Sequence, residues 1–194
     1  MLPQVMRSRT AAAAVLLLLG AAATPARGQQ EIPGELQAAI VTRMLGYDRA
    51  LKGRVGPSLT VGIVVKASDR AATKVQSEMQ QAFAAQRSVQ GLPLSIKVYA
   101  YAEPLAFADW VTSQGVDVLY VAAGLDKELE AIRALCAEKR LVCVSSVRAY
   151  VKQGLAIGVV TKGESAGILV NLPVAKAVGM DLDPKLLNLA EIMR

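Results

Sequence analysis

Runs of β-branched and aliphatic residues, each followed by a helical pattern, constrain this chain more than any other feature. Residues 58–66 (SLTVGIVVK) show no polar alternation, so a strand here must be buried on both faces, as the strands of a parallel sheet are. Residues 116–123 (VDVLYVAA) and 141–145 (LVCVS) read alike, and over 94–101 Leu94, Ile96, Val98 and Ala100 alternate with their neighbours. Helical stripes lie between these runs: Val75, Met79, Ala82 and Phe83 over 69–88, with Asp69 as the expected N-cap, a short helix over 104–114, and Leu125, Leu129, Ile132 and Cys136 over 125–139. A helical turn over 147–153 follows. Strand and helix thus alternate four times, which selects a parallel sheet covered by helices on both faces and joined by right-handed crossovers.

The last third departs from this order. Residues 155–162 (LAIGVVTK) and 166–172 (AGILVNL) are separated only by Gly163, Glu164 and Ser165, too few residues for a crossover, so the two must pair as an antiparallel hairpin. A short helix over 173–178 comes next, and Asp183 followed by Pro184 predicts a capped helix over 185–193. At the other end, residues 35–52 put Leu36, Ile40, Met44, Tyr47 and Leu51 on one stripe, predicting a single amphipathic helix that Gly53, Gly56 and Pro57 end. Tyr47 is then an anchored ring beside a surface ion pair of Asp48 and Arg49. The expected fold class is α/β: a Rossmann-like three-layer sandwich, its sheet mostly parallel with a C-terminal antiparallel hairpin.

Ahead of these elements, Arg7 and Arg9 precede an unbroken run of small and apolar residues over 11–23, the pattern of a secretory signal peptide. The run is too short to span a bilayer, and no second candidate follows it. The expected organisation is a signal peptide over 1–28 and one α/β domain over 29–194, exported and soluble. Removing the leader takes three arginines with it and leaves 19 basic against 16 acidic residues. That balance, without basic clusters interleaved with aromatics, is no nucleic-acid footprint. The chain has no histidine, so Ser-His-Asp, Cys-His and His-containing zinc sites are excluded, and no spacing announces a carboxylate pair, a metal or a cofactor. The expectation is a protein that is not an enzyme.

Two groups of residues carry chemistry. Cys136 lies on the inner stripe of its helix and Cys143 on the strand that follows; in an exported chain this even pair reads as a disulfide ahead of two buried free thiols. In open parallel sheets ligands bind beyond the carboxyl ends of the strands, which here points to Ser68, Gly124, Ser145 and Ser146 as candidate anion-binding residues, each also readable as an ordinary cap or turn. No G-x-G-x-x-G or Walker A motif follows any strand. Asp126, Glu128 and Glu130 meet a helix dipole rather than forming a catalytic pair.

The order of parts, from LQAAIVTRMLGYDRAL through alternating strands and helices to ILVNLPVAKAVGMDLDPKLLNLAEIM, resembles the YfiR/HmsC-like periplasmic proteins. The carboxyl end carries most of the likeness: a strand with a late Asn171, a short Ala-rich helix, Gly179 and a Leu-rich final segment. Cys136 and Cys143 resemble the short-range disulfide of family members, whereas the family's aromatic-rich first helix and its additional bridge have no counterpart here. The resemblance implies a non-enzymatic periplasmic regulator that binds and represses an inner-membrane signalling protein, a diguanylate cyclase foremost and a sensor kinase next. A second copy of the chain is a further expected partner. Tyr47, Tyr150 and Leu186 are the candidate anchors of such an interface. The competing reading is a periplasmic small-ligand sensor or solute-binding protein using the strand-end cleft.

Overall fold

A computed structural model describes residues 32–67 and 70–194, without the side chains of Arg70 and Ala71. The expected leader over 1–28, the expected cap Asp69 and the candidate Ser68 lie outside the described residues. One sheet of eight strands organises the molecule in the order β2-β3-β1-β4-β5-β6-β7-β8. They are β1 (Leu59–Lys66), β2 (Ser88–Val89), β3 (Leu92–Tyr101), β4 (Val118–Val121), β5 (Val142–Ser145), β6 (Ile157–Lys162), β7 (Ser165–Asn171) and β8 (Glu191–Met193). The five strands β3, β1, β4, β5 and β6 run parallel, and β6 and β7 form the expected antiparallel hairpin. The fold is mixed α/β, as the alternation requires.

Helices α1 (Gly34–Gly46), α2 (Leu51–Arg54), α3 (Arg70–Ala84), α4 (Pro104–Ser113), α5 (Leu129–Lys139), α6 (Arg148–Lys152), α7 (Leu172–Ala177) and α8 (Pro184–Leu187) complete the chain. The two-residue period of each strand divides the core between the faces of the sheet. Val61, Ile63, Val65, Val118, Tyr120, Val142 and Val144 pack on one side with residues of α1 and α3, including Val41, Met44, Met79 and Phe83. Val64, Leu119, Val121 and Cys143 pack on the other with Phe107 and Val111 of α4 and Leu129, Ile132 and Cys136 of α5. Gly62 is what lets α4 approach this second face, because a Cβ there would stand 3.0 Å from both the Trp110 ring and Val116.

Three expectations are corrected. The helix expected over 35–52 stops at Gly46; of the expected stripe Met44 and Leu51 are buried, Ile40 and Tyr47 half-buried and Leu36 exposed, and the buried face of the helix turns toward Gln37, Ala38, Val41 and Leu45. The cause is Asp48, which is fully buried and not half of a surface pair. Its Oδ1 accepts the Ala50 N–H at 3.1 Å and the Asp181 N–H at 2.9 Å, and its Oδ2 accepts from Arg54. A buried carboxylate needs such donors, and continuing the helix would not supply them. The chain instead turns out and bridges to Leu182, while Arg49 pairs with Asp181.

The second correction is the final helix. Asp183 does cap it, its Oδ1 accepting the Lys185 N–H at 2.8 Å, but α8 has four residues and the chain then adds β8 alongside β7. The open edge of β7 offers backbone partners along the line Leu169 to Asn171, and a short Leu-rich segment gains more by pairing than by another turn of helix. Third, β2 pairs antiparallel with β3 through a tight turn in which Gln90 and Gly91 both have positive φ, a hairpin hidden by the absence of an Asn-Gly signal.

Candidate functional site

Of the residues singled out at the strand ends, Gly124, Ser145 and Ser146 are described, and they have different roles. Ser145 is fully buried and satisfied within the protein: its hydroxyl donates to the Val121 carbonyl at 2.7 Å and accepts the Val147 N–H at 3.1 Å, tying the end of β4 to the approach of α6. Gly124 forms an exposed turn with φ of 89°. Beneath that turn lies Tyr150, whose oxygen accepts the Leu125 N–H at 2.9 Å. Burial holds the Tyr150 hydroxyl protonated, with its pKa pushed up to about 12. Ser146 lines a cleft.

The expected interface anchors are mostly interior. Tyr150 and Leu186 are each 1% exposed, Tyr150 in the α4–α5 core and Leu186 in the α1–α3 core, so neither offers surface to a partner. Their apolar bulk decided the outcome: rings and leucines at these spacings pack inward. Tyr47 is half-buried and packs against the α1–α3 core. Cys136 and Cys143 are joined, with Cα atoms 6.3 Å apart, fastening the end of α5 to β5.

A cleft of about 790 Å³ opens beyond the carboxyl ends of β4, β5 and β6, on the α1 side of the sheet. Its inner wall is apolar, formed by Val75, Met79 and Val160, with Ile32 and Pro33 at the entry to α1. Tyr120 stands at its back. The Tyr120 hydroxyl donates to Gln37 Oε1 at 2.5 Å and lies 3.5 Å from Ser146 Oγ, while Gln37 Nε2 donates to the Ile32 carbonyl at 2.6 Å. Burial pushes the Tyr120 pKa up to about 12, so the phenol is neutral and serves as a donor. Across the cleft, Glu78 accepts the Gly34 N–H at 3.1 Å and so fixes the start of α1 against α3.

Lys74, Arg148 and Lys152 bring three cations to this lining. Arg148 is bound to Glu191 at 2.6 Å, and the bond holds the Glu191 carboxyl below its usual range. Among the described residues no group of Cys, Asp and Glu is placed to hold a metal ion, and no helix is long and apolar enough to cross a membrane. Sequence reasoning missed Gln37, Lys74 and Lys152, which belong to three different elements. Tyr120 carried a signal, as a polar ring inside the otherwise aliphatic β4.

Similar structures share this architecture. The ABC domain from Streptococcus pneumonia in complex with L-Trp matches with a TM-score of 0.62 at 13% identity, over 82% of this chain and 60% of that one. A conserved domain protein from Vibrio cholerae matches with a TM-score of 0.62 at 12% identity, over 84% of this chain and 60% of the other. The ligand-free, open form of a substrate-binding protein with adhesive properties from Clostridium difficile gives a TM-score of 0.55 at 17% identity, over 79% and 59%. The chain therefore spans about 60% of the length of each, and the likeness is one of fold. Among curated proteins none matches the sequence significantly. The model of one family of periplasmic regulators, however, matches residues 34–191, from the first residue of α1 into β8, and by that match the chain belongs to the YfiR/HmsC-like family.

Proposed function

We propose that this protein is a non-enzymatic periplasmic regulator that binds the extracytoplasmic part of an inner-membrane signalling protein, a diguanylate cyclase, and lowers its output. The observation that carries this reading is the family match across residues 34–191, which covers the whole described sheet except the end of its last strand. The absence of histidine agrees with it, since a binding protein needs no general base near neutral pH. A binding mechanism also suits the surface: the exposed large apolar residues Leu36, Leu105 and Leu189 lie on α1, on α4 and before β8, outside the cleft.

The test is genetic and biochemical together. Deleting the gene should raise cyclic di-GMP and surface attachment, and the tagged mature protein should retain a cyclase from solubilised membranes. Unchanged cyclic di-GMP in the deletion strain, with no signalling protein retained, would overturn the reading.

A further inference from the structure

We propose that the cleft between α1, α3 and α6 is a ligand site for a small amphiphilic monoanion: one carboxylate or sulfonate on an apolar body. The inference concerns the isolated protein and does not rest on any partner. Size sets the first bound, because about 790 Å³ lies within the range of roughly 300 to 1,000 Å³ typical of pockets for small organic ligands. The lining sets the second. Val75, Met79 and Val160 offer an apolar wall, and the buried Tyr120 and the half-buried Ser146 place hydroxyls at the back.

Charge decides among ligand classes. The lining carries Lys74, Arg148 and Lys152 against the single carboxylate of Glu78. Glu191 neutralises Arg148 through their 2.6 Å bond, and Glu78 Oε1 already accepts the Gly34 N–H. Lys74 and Lys152 then face one acid, an excess of one positive charge. A monoanion cancels that excess; a diphosphate or triphosphate would leave uncompensated negative charge, and a divalent cation would add to the repulsion. A sugar would ask for an exposed aromatic platform, but the Tyr120 ring is taken by Phe83, edge to face at 5.9 Å.

The sequence of contacts follows from position. Lys74 comes from α3 and Lys152 from α6 and both line the cleft, so an anion that meets both would link two helices. With the Tyr120 proton given to Gln37, the Ser146 hydroxyl faces the Tyr120 oxygen at a long 3.5 Å, a contact that a ligand oxygen can replace. The apolar body then covers the half-buried Ile32, Val75 and Val147 over a floor of buried Met79 and Val160, which gains roughly 25 cal/mol for each Å² of apolar surface removed from water.

Anilinonaphthalene sulfonate is a suitable probe: it is a fluorescent monoanion with an apolar body, and phenylnaphthylamine is its neutral counterpart. Titration of the folded, mature protein should show one saturable site, with the sulfonate bound about tenfold or more tighter than the neutral probe. The double variant Lys74→Ala, Lys152→Ala should weaken sulfonate binding by about tenfold and leave the neutral probe unchanged, whereas Lys127→Ala with Lys185→Ala should change neither. All four lysines are exposed, so both variants should keep the parent circular dichroism and melting temperature. Equal binding of the two probes, an unaltered sulfonate affinity in the Lys74/Lys152 variant, or the lack of any saturable site would overturn the proposal.

Discussion

The two faces of the sheet are closed by different chemistry. On the α4–α5 face, Tyr99, Tyr101, Phe107 and Trp110 form a chain of rings with centroids 5.0 to 6.1 Å apart, and a disulfide fastens α5 to β5. On the α1–α3 face the apolar packing is bracketed by polar side chains. Glu78 holds the first N–H of α1, Tyr120 holds Gln37 in its first turns, and Gln90 Nε2 reaches the carbonyls of Leu45, Gly46 and Asp48 at its end, at 3.3, 3.1 and 2.9 Å. Each such hydrogen bond contributes only about 1 kcal/mol net and can be exchanged for water. The disulfide cannot. The face that carries the cleft is therefore the face whose covering helix α1 is held by exchangeable bonds, with no covalent tie to the sheet among the described residues.

The largest expected effect breaks the polar face at Asp48. Asp48→Ala leaves Arg54 with a guanidinium only 21% exposed and no acceptor, and strips the Ala50 and Asp181 N–H groups of theirs. Removing one member of a buried pair costs about 3 to 5 kcal/mol, and Asp48→Asn, which keeps the Oδ1 acceptor, should cost clearly less. Urea unfolding followed by circular dichroism measures both; equal losses in the two variants would show that the charge facing Arg54, and not the Oδ1 acceptor, carries the whole effect.

Next comes the opposite face. Replacing Cys136 and Cys143 by alanine opens a loop of sequence separation 7, worth roughly 2.5 kcal/mol in the chain-entropy model, and further packing is lost because both sulfurs are buried. The expected total is about 3 kcal/mol or more. This change should lower stability yet leave probe binding in the cleft as it is in the parent. If affinity for the sulfonate fell with the disulfide, the two faces would be coupled and the contrast between them would fail.

Legibility in the sequence followed the same division. Periodicity located β1, β4, β5 and the Leu125, Leu129, Ile132 and Cys136 stripe, because continuous aliphatic runs leave the chain only one way to hide them, and the cysteine pair could be read from spacing and compartment. What misled was polar. A carboxylate such as Asp48 looks like a solvated charge until its donors are known, and one of them, the Asp181 N–H, lies 133 positions away. The strand-end cleft and its Ser146 followed from the topology, but the rest of its lining is illegible for the same reason: Gln37, Lys74, Tyr120 and Lys152 come together only after four elements have folded. The edge strand β8 was read as helix because Leu186 to Ala190 carry a local helical pattern, while the partner β7 that overrides it lies outside any local window.

The smallest expected effect isolates a single hydroxyl. Tyr120→Phe keeps the edge-to-face contact with Phe83 and removes the donor to Gln37 Oε1, leaving a buried acceptor unpaired at a cost of about 1 to 2 kcal/mol. Its pH signature has a definite sign. Burial raises the folded pKa of Tyr120 from 10.0 to about 12, so the stability linked to the protonated phenol is complete below pH 10.0 and is lost as pH rises toward about 12, where the unfolded chain is already ionised. Tyr150 shifts in the same direction from the opposite core. The parent should therefore lose stability across this alkaline window, and Tyr120→Phe and Tyr150→Phe should each remove part of the loss, one from each face. Urea midpoints measured on either side of pH 10.0, alongside the near-ultraviolet absorbance of phenolate, decide the point. An alkaline loss that is undiminished in Tyr120→Phe would mean that this hydroxyl ionises as freely in the fold as in water, and that the back of the cleft is wet rather than closed by the Tyr120–Gln37 contact.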